Sequence, residues 1–231
     1  MGKHLRQQRR GRGFSSVYSS PSHRHVAPIR LPITEGEGVV MDLLHAPGRS
    51  APLARVLFGK EEVLVIAPDG LTTGQTVTVG LVNVDRGNTM RVGQIPEGTL
   101  IHNIEARPGD GGKLVRAAGT TALVVTQGDH TVIRLPSGAF KELDPKCRAT
   151  IGVISGGGRR DKPLYKAGKS VNAYRSLAKA PFKVRGVAMN SVDHPHGGGA
   201  HQHVGRPSTV SRNAPPGRKV GRLSPQRKRR K

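Results

Sequence analysis

Hydrophobic residues in the middle of this chain come in short runs separated by turn chemistry. Gly38–Leu43, Leu53–Phe58, Glu62–Ala67 and Thr76–Val82 are apolar or alternating stretches. Pro47-Gly48, Pro68-Asp69-Gly70 and Arg86-Gly87-Asn88 punctuate them. Side chains on an extended strand alternate between two faces, and Gly, Pro and Asp supply the turns between strands. A second set follows at Thr99–Ile104, Lys113–Ala117, Ala122–Gln127, His130–Leu135 and Thr150–Ser155. Short strands at this spacing predict an all-β fold, either one sandwich or two small barrels. The polar stretch Val84–Met90 is the best boundary between two barrels.

Both ends lack that pattern. Residues 1–33 carry no helical or strand period and interleave Arg6, Arg9, Arg10 and Arg12 with Gly11 and Gly13. After Ser155 the chain turns Gly-rich and basic, opening with Gly156-Gly157-Gly158-Arg159-Arg160. One short helix is predicted over Val171–Ala180, with Ser170 as its N-cap and Pro181 as its stop. The predicted organisation is therefore a basic arm over 1–33, a barrel over 34–86, a second barrel over 87–160, and a basic extension over 161–231.

Charge sharpens this division. The chain has a formal net charge of +23. Residues 1–30 carry seven Lys/Arg and no Asp/Glu, whereas residues 31–150 are near neutral, with twelve basic and thirteen acidic residues. Residues 151–231 carry nineteen basic and two acidic residues, a net of +17. Arms of such density repel themselves and gain most by lying against a polyanion. Nucleic acid is the prime candidate, because each phosphate neutralised releases condensed counterions. Hydrophobic content of 35% and seven aromatic residues fit a chain of which much lacks a core of its own.

Several function classes recede on chemistry. The single cysteine, Cys147, precludes an internal disulfide and reads as a small buried apolar residue in a reducing compartment. No apolar run reaches the roughly 18–20 residues that span a bilayer. Gly168-Lys169-Ser170 lacks the first glycine of a phosphate-binding Walker loop. The closing run Arg227-Lys228-Arg229-Arg230-Lys231 suits either a nuclear address or nucleic-acid contact.

The densest constellation is VRGVAMNSVDHPHGGG, residues 184–199. Asp193, His194, His196, His201 and His203 lie within eleven residues and are competent metal ligands by type. Pro195 stiffens the chain between the first two histidines, however, and Gly197–Gly199 leaves the loop without support of its own. A loop that simply fills space against a partner is a second reading. The third, close approach to RNA, is preferred. Glycines bring backbone N–H groups near phosphate oxygens, while histidine and Asn190 offer stacking and hydrogen bonds. A catalytic His-Asp pair is disfavoured because neighbours on an extended chain point apart and no Ser or Cys nucleophile is tied to them. The chain is read as no enzyme.

This block resembles the signature of the large-ribosomal-subunit protein two family. HAPGRSAPLARVLF (45–58), IAPDGL (66–71), IPEGTLIHNIEARPGDGGKLVRAAG (95–119), LPSGAF (135–140) and CRATIGVISGG (147–157) resemble family segments in family order. SRNAPPGRKVG (211–221) and the start MGKHLRQQRRGRG are similar to the archaeal and eukaryotic branch. Ser191 stands where many bacterial relatives carry Pro, and Ala200 where a Glu often follows the glycine triplet in the family.

The resemblance implies an OB-like first barrel, an SH3-like second barrel, and arms threaded into large-subunit ribosomal RNA. It also implies roles in subunit assembly and small-subunit association, and a position near the peptidyl-transferase region. The expected partners are large-subunit ribosomal RNA, other large-subunit proteins and the small subunit, in the cytoplasm. No cofactor is expected beyond magnesium bound mainly by RNA phosphates. The expected RNA-contacting residues are Arg6, Arg9, Arg10 and Arg12 in the first arm and Lys113 and Arg116 in the second barrel. Beyond these are Arg159, Arg160, Arg185, Asn190, His194, His196, Gly197, Gly198, Gly199, Arg206, Arg212, Arg218 and Lys219. The run Ile95–Gly119 is expected to place Gly109, Gly111 and Gly112 beside Lys113, Arg116 and His102 on an RNA-facing surface.

Overall fold

The computed structural model describes residues 4–5, 8, 25–32, 35–81, 83–159, 161–176 and 182–225. The chain divides into two compact units, Pro21–Tyr165 and Met1–Ser20 with Lys166–Lys231. Arg6, Arg9, Arg10, Arg12 and Arg160 lie outside the described residues, as do Val82, Leu177–Ala180 and Pro181.

The first unit is all-β, as the alternation predicts. Its strands are β1 (Gly36–Leu44), β2 (Leu53–Phe58), β3 (Glu61–Ile66), β4 (Thr76–Val79) and β5 (Thr89–Arg91). They are followed by β6 (Leu100–His102), β7 (Ala122–Thr126), β8 (Thr131–Arg134), β9 (Phe140–Leu143) and β10 (Arg148–Ile151). The hydrogen-bonded order is β3-β2-β1-β4-β5-β10-β6-β7-β8-β9. All pairs are antiparallel except β4–β5, which meet in parallel at Val79 and Thr89. Separate apolar clusters lie under the two strand groups. Val40, Val56 and Val77 belong to one; Met90, Ile101, Ile133 and Cys147 belong to the other. A third cluster joins Ile29 ahead of β1 to Leu53, Ile66 and Ile154.

Departures from the predicted elements have local causes. Residues 113–117 form no strand, only a bridge between Ile104 and Leu114. Val115 sits at φ +51°, which breaks an extended run. The last predicted strand begins earlier, at Arg148, and ends before Gly152, whose φ is +112°. β5 is too short to show a period, and β9 exposes three of its four residues, so neither is visible as an alternating pattern.

In the second unit, the helix α1 (Ala167–Ser176) begins before the predicted start at Val171, and the predicted end at Ala180 lies outside the described residues. The Ser170 N–H donates to the Lys166 carbonyl at 3.4 Å, so Ser170 lies inside the helix and does not cap it. Two short strands were not foreseen: β11 (Thr209–Val210) pairs in parallel with β12 (Arg222–Leu223). This unit holds two buried apolar side chains among its described residues, Leu5 and Val220. No helix among the described residues is long and apolar enough to cross a membrane.

Two buried ionisable groups characterise the β unit. Cys147 packs in the second core, where burial and then the Asp144 charge push its thiol up to about 11. His102, expected on an exposed face, is instead fully buried, with Nδ1 3.0 Å from the Gly152 carbonyl. Burial pushes its imidazole down from 6.5 to about 4. Between those values the unfolded chain takes up a proton that the folded chain refuses. His102 therefore contributes full stability above about pH 6.5, and that contribution fades as pH falls toward 4. We expect wild type to lose ~3 kcal/mol of unfolding free energy between pH 7 and 4 through this group. Denaturant titrations of wild type and His102→Gln across that range check this; parallel pH profiles would contradict it.

Candidate nucleic-acid interface

The loop after β6 is organised by a residue that charge patterning did not flag. Glu105 is fully buried. Its carboxylate accepts the Gly109 N–H at 3.2 Å, the Gly111 N–H at 3.1 Å and the Arg148 N–H at 2.9 Å. Arg148 adds a guanidinium contact at 3.0 Å. Asp110 closes the rest of the turn, accepting N–H groups from Ala106, Arg107 and Gly112. Two of the glycines expected on the RNA-facing surface, Gly109 and Gly111, thus direct their N–H groups inward to Glu105.

Three arginines hold the segment leading into β1. Arg49 donates to the Ala27 carbonyl at 3.1 Å, Arg116 to Ile29 at 3.1 Å, and Arg148 to Pro32 at 2.6 Å. Arg116 also donates to the Gly112 carbonyl at 3.0 Å. Burial, and then the nearby Arg49 charge, lower the Arg116 guanidinium from its ordinary value. Arg116 is therefore half-buried and largely occupied, whereas Lys113 stands exposed beside it. Arg159 is exposed and ties its loop to the Ser50 carbonyl at 2.9 Å.

In the second unit, the 186–199 loop closes on itself. The Asn190 carbonyl accepts N–H groups from Asp193 at 3.0 Å and His194 at 3.1 Å. The Gly197 N–H donates to His194 at 2.9 Å, and the Gly198 N–H donates to Met189 at 3.1 Å. His194 turns inward over Gly186, where any added Cβ would overlap the imidazole. Its Nδ1 accepts the His196 N–H at 3.0 Å, so the proton of the neutral ring sits on Nε2. The two rings meet edge-on, with centroids 5.1 Å apart. Burial, and then the His196 charge, lower the His194 pKa.

The glycines are needed by the loop itself. A Cβ at Gly197 would overlap the Asn190 and Met189 carbonyls, while Gly198 and Gly199 sit at φ +88° and +89°. Asn190, Arg185, Arg206, Arg212, Arg218 and Lys219 are exposed. Arg206 donates to the Pro195 carbonyl, and Arg185 donates to Gln202 at 2.7 Å. Among the described residues, no three His, Cys, Asp or Glu side chains converge as a metal site would require. Sequence reading therefore located the exposed cations, but missed Glu105, Arg49 and Arg148, whose roles depend on contacts distant in sequence. The Arg148–Pro32 bond, for example, spans 116 positions.

Comparison with known proteins follows this geometry. The family model "Ribosomal Proteins L2, RNA binding N-terminal domain" matches residues 31–79. "Ribosomal Proteins L2, C-terminal domain" matches residues 85–218. The Large ribosomal subunit protein uL2 of Thermoplasma acidophilum is 54% identical over 231 residues, covering 99% of this chain and 98% of the relative. The protein of that name in Methanothermobacter thermautotrophicus is also 54% identical, covering 98% of each chain. That of Methanococcus vannielii is 50% identical over the full length of both.

Two outcomes follow from the loop chemistry. Glu105→Ala removes the ion-pair partner of the half-buried Arg148 guanidinium and leaves several N–H groups without their acceptor, and should lower unfolding free energy by about 3 kcal/mol; a loss under 1 kcal/mol in denaturant titration would contradict the role given to Glu105. His194 should titrate below an ordinary histidine in proton NMR of the Cε1–H resonances. Gly197→Ala should move it back toward the ordinary value by opening the loop. An unchanged His194 titration in that variant would show that the loop does not set it.

Proposed function

The chain belongs to the ribosomal protein L2 family, and from that premise we propose that it is a structural component of the large ribosomal subunit that binds large-subunit ribosomal RNA. The observation that carries this reading is the separation of core from charge. The near-neutral β unit has its own apolar clusters, whereas the described part of the basic extension over 161–231 buries Val220 and no other apolar side chain. Such a segment gains its stability from phosphates rather than from packing.

In this reading the protein supports subunit assembly and association with the small subunit, and lies near the peptidyl-transferase region in the cytoplasmic ribosome. Exposed Lys113, Arg159, Arg185, Arg212, Arg218 and Lys219 position phosphates, while the 193–199 loop approaches RNA. The first-arm residues Arg6, Arg9, Arg10 and Arg12, together with Arg160, join them. His194, tied within its loop, shapes that approach rather than transferring protons, and His196 supplies a hydrogen bond or edge contact. Magnesium accompanies the RNA, held mainly by its phosphates.

Binding to ribosomal RNA should be steeply salt-dependent, with a log–log slope of about −0.7 to −0.9 per phosphate neutralised. Deleting residues 206–231 should flatten that slope while leaving the β unit folded; an unchanged slope would refute the reading. Large subunits reconstituted with His196→Gln should form peptide bonds within a few-fold of the wild-type rate. A collapse by orders of magnitude in fully assembled subunits would instead assign the loop a chemical role.

A further inference from the structure

One exposed surface of the β unit is not absorbed by the basic arms. Backbone register aligns a single row across four adjacent strands. Leu100 on β6 pairs with Leu123 on β7, Leu123 with Arg134 on β8, and Arg134 with Phe140 on the edge strand β9. Directly paired residues place their side chains on one face, about 5 Å apart at Cβ. Leu100, Leu123 and Arg134 line an open groove of about 470 Å³, rimmed by the Pro136-Ser137-Gly138 turn. Phe140 stands beside that groove with 65% of its surface exposed. A large aromatic on an edge strand gains nothing from water, and the Arg134 guanidinium makes no hydrogen bond or ion pair with any described residue.

We propose that this row is a receiving site for one unpaired nucleotide of the bound RNA, its base stacked on the Phe140 ring and its phosphate held by Arg134. The proposal rests on the RNA-binding reading above and adds to it a site class that charge does not reveal. Aromatic faces accept any base by stacking, and an adjacent guanidinium reads the phosphate. Charge complementarity favours RNA over a protein strand on this face, because the polar member of the row is an unneutralised cation. The apolar floor of Leu100 and Leu123 keeps water from the edge of the stacked base.

The test uses large subunits assembled with the full-length chain. Trypsin releases residues 135–141 as one peptide, which contains Phe140. After ultraviolet irradiation of wild-type subunits, mass spectrometry should find this peptide joined to a nucleotide. Phe140→Trp should retain the adduct, and Phe140→Ala should abolish it. Chemical probing should then show that base becoming roughly tenfold more reactive in Phe140→Ala, and in part in Arg134→Gln. Both side chains are exposed, so unchanged unfolding midpoints are expected.

An unmodified 135–141 peptide in wild-type subunits would overturn the proposal. So would its chemical crosslinking to another protein, or unchanged base reactivity in Phe140→Ala. Nucleotide adducts on peptides from residues 182–225 report separately on the broader RNA-binding reading. Their presence with no adduct at 135–141 rejects this site alone, and the absence of both rejects the broader reading.

Discussion

A buried carboxylate is costly unless donors surround it, and Glu105 is surrounded by four hydrogen bonds from three residues. Through Gly109 and Gly111 it folds the loop after β6. Through Arg148 it reaches β10 and, by the other guanidinium nitrogen, the Pro32 carbonyl ahead of β1. One charge thus links the entry segment, the second strand group and the loop carrying Lys113. Arg49 and Arg116 extend this arrangement along the same entry segment, spending their donors on Ala27, Ile29 and Gly112 carbonyls. Position rather than charge separates the structural arginines from those free to meet phosphate.

The two units solve the backbone-satisfaction problem differently. In the β unit, ten strands pair their N–H and C=O groups over apolar clusters. In the C-terminal unit, tight loops pair backbone groups locally and glycines permit the crowding, as at Gly197 between two carbonyls. Little apolar surface is buried there, so geometry is specified without much stability. Binding to a polyanion then stabilises a shape that the sequence already encodes.

Alternation made most of the sheet legible: β1–β3, β7 and β8 lie where apolar residues recur at every second position or run together. β5 and β9 were not legible, since three residues show no period and β9 places charged Lys141 and Glu142 on an exposed edge. Residues 113–117 looked like a strand because composition carries no information about the positive φ of Val115. For the site, exposed cations could be read directly. The inward turn of His194 could not, because it depends on Gly186 and on the His196 N–H, a geometry that residue types alone do not fix. His102 misled for a related reason: a polar residue beside glycines resembles a surface group until the fold encloses it.

The central claim is that the β unit holds itself together, whereas the basic C-terminal unit relies on RNA. Hydrogen exchange on the full-length chain, free and within the large subunit, tests this most directly. The account predicts strong protection of β1–β10 amides in both states. It predicts protection of residues 182–225 only in the subunit. Equal protection of 182–225 in the free protein would contradict the account.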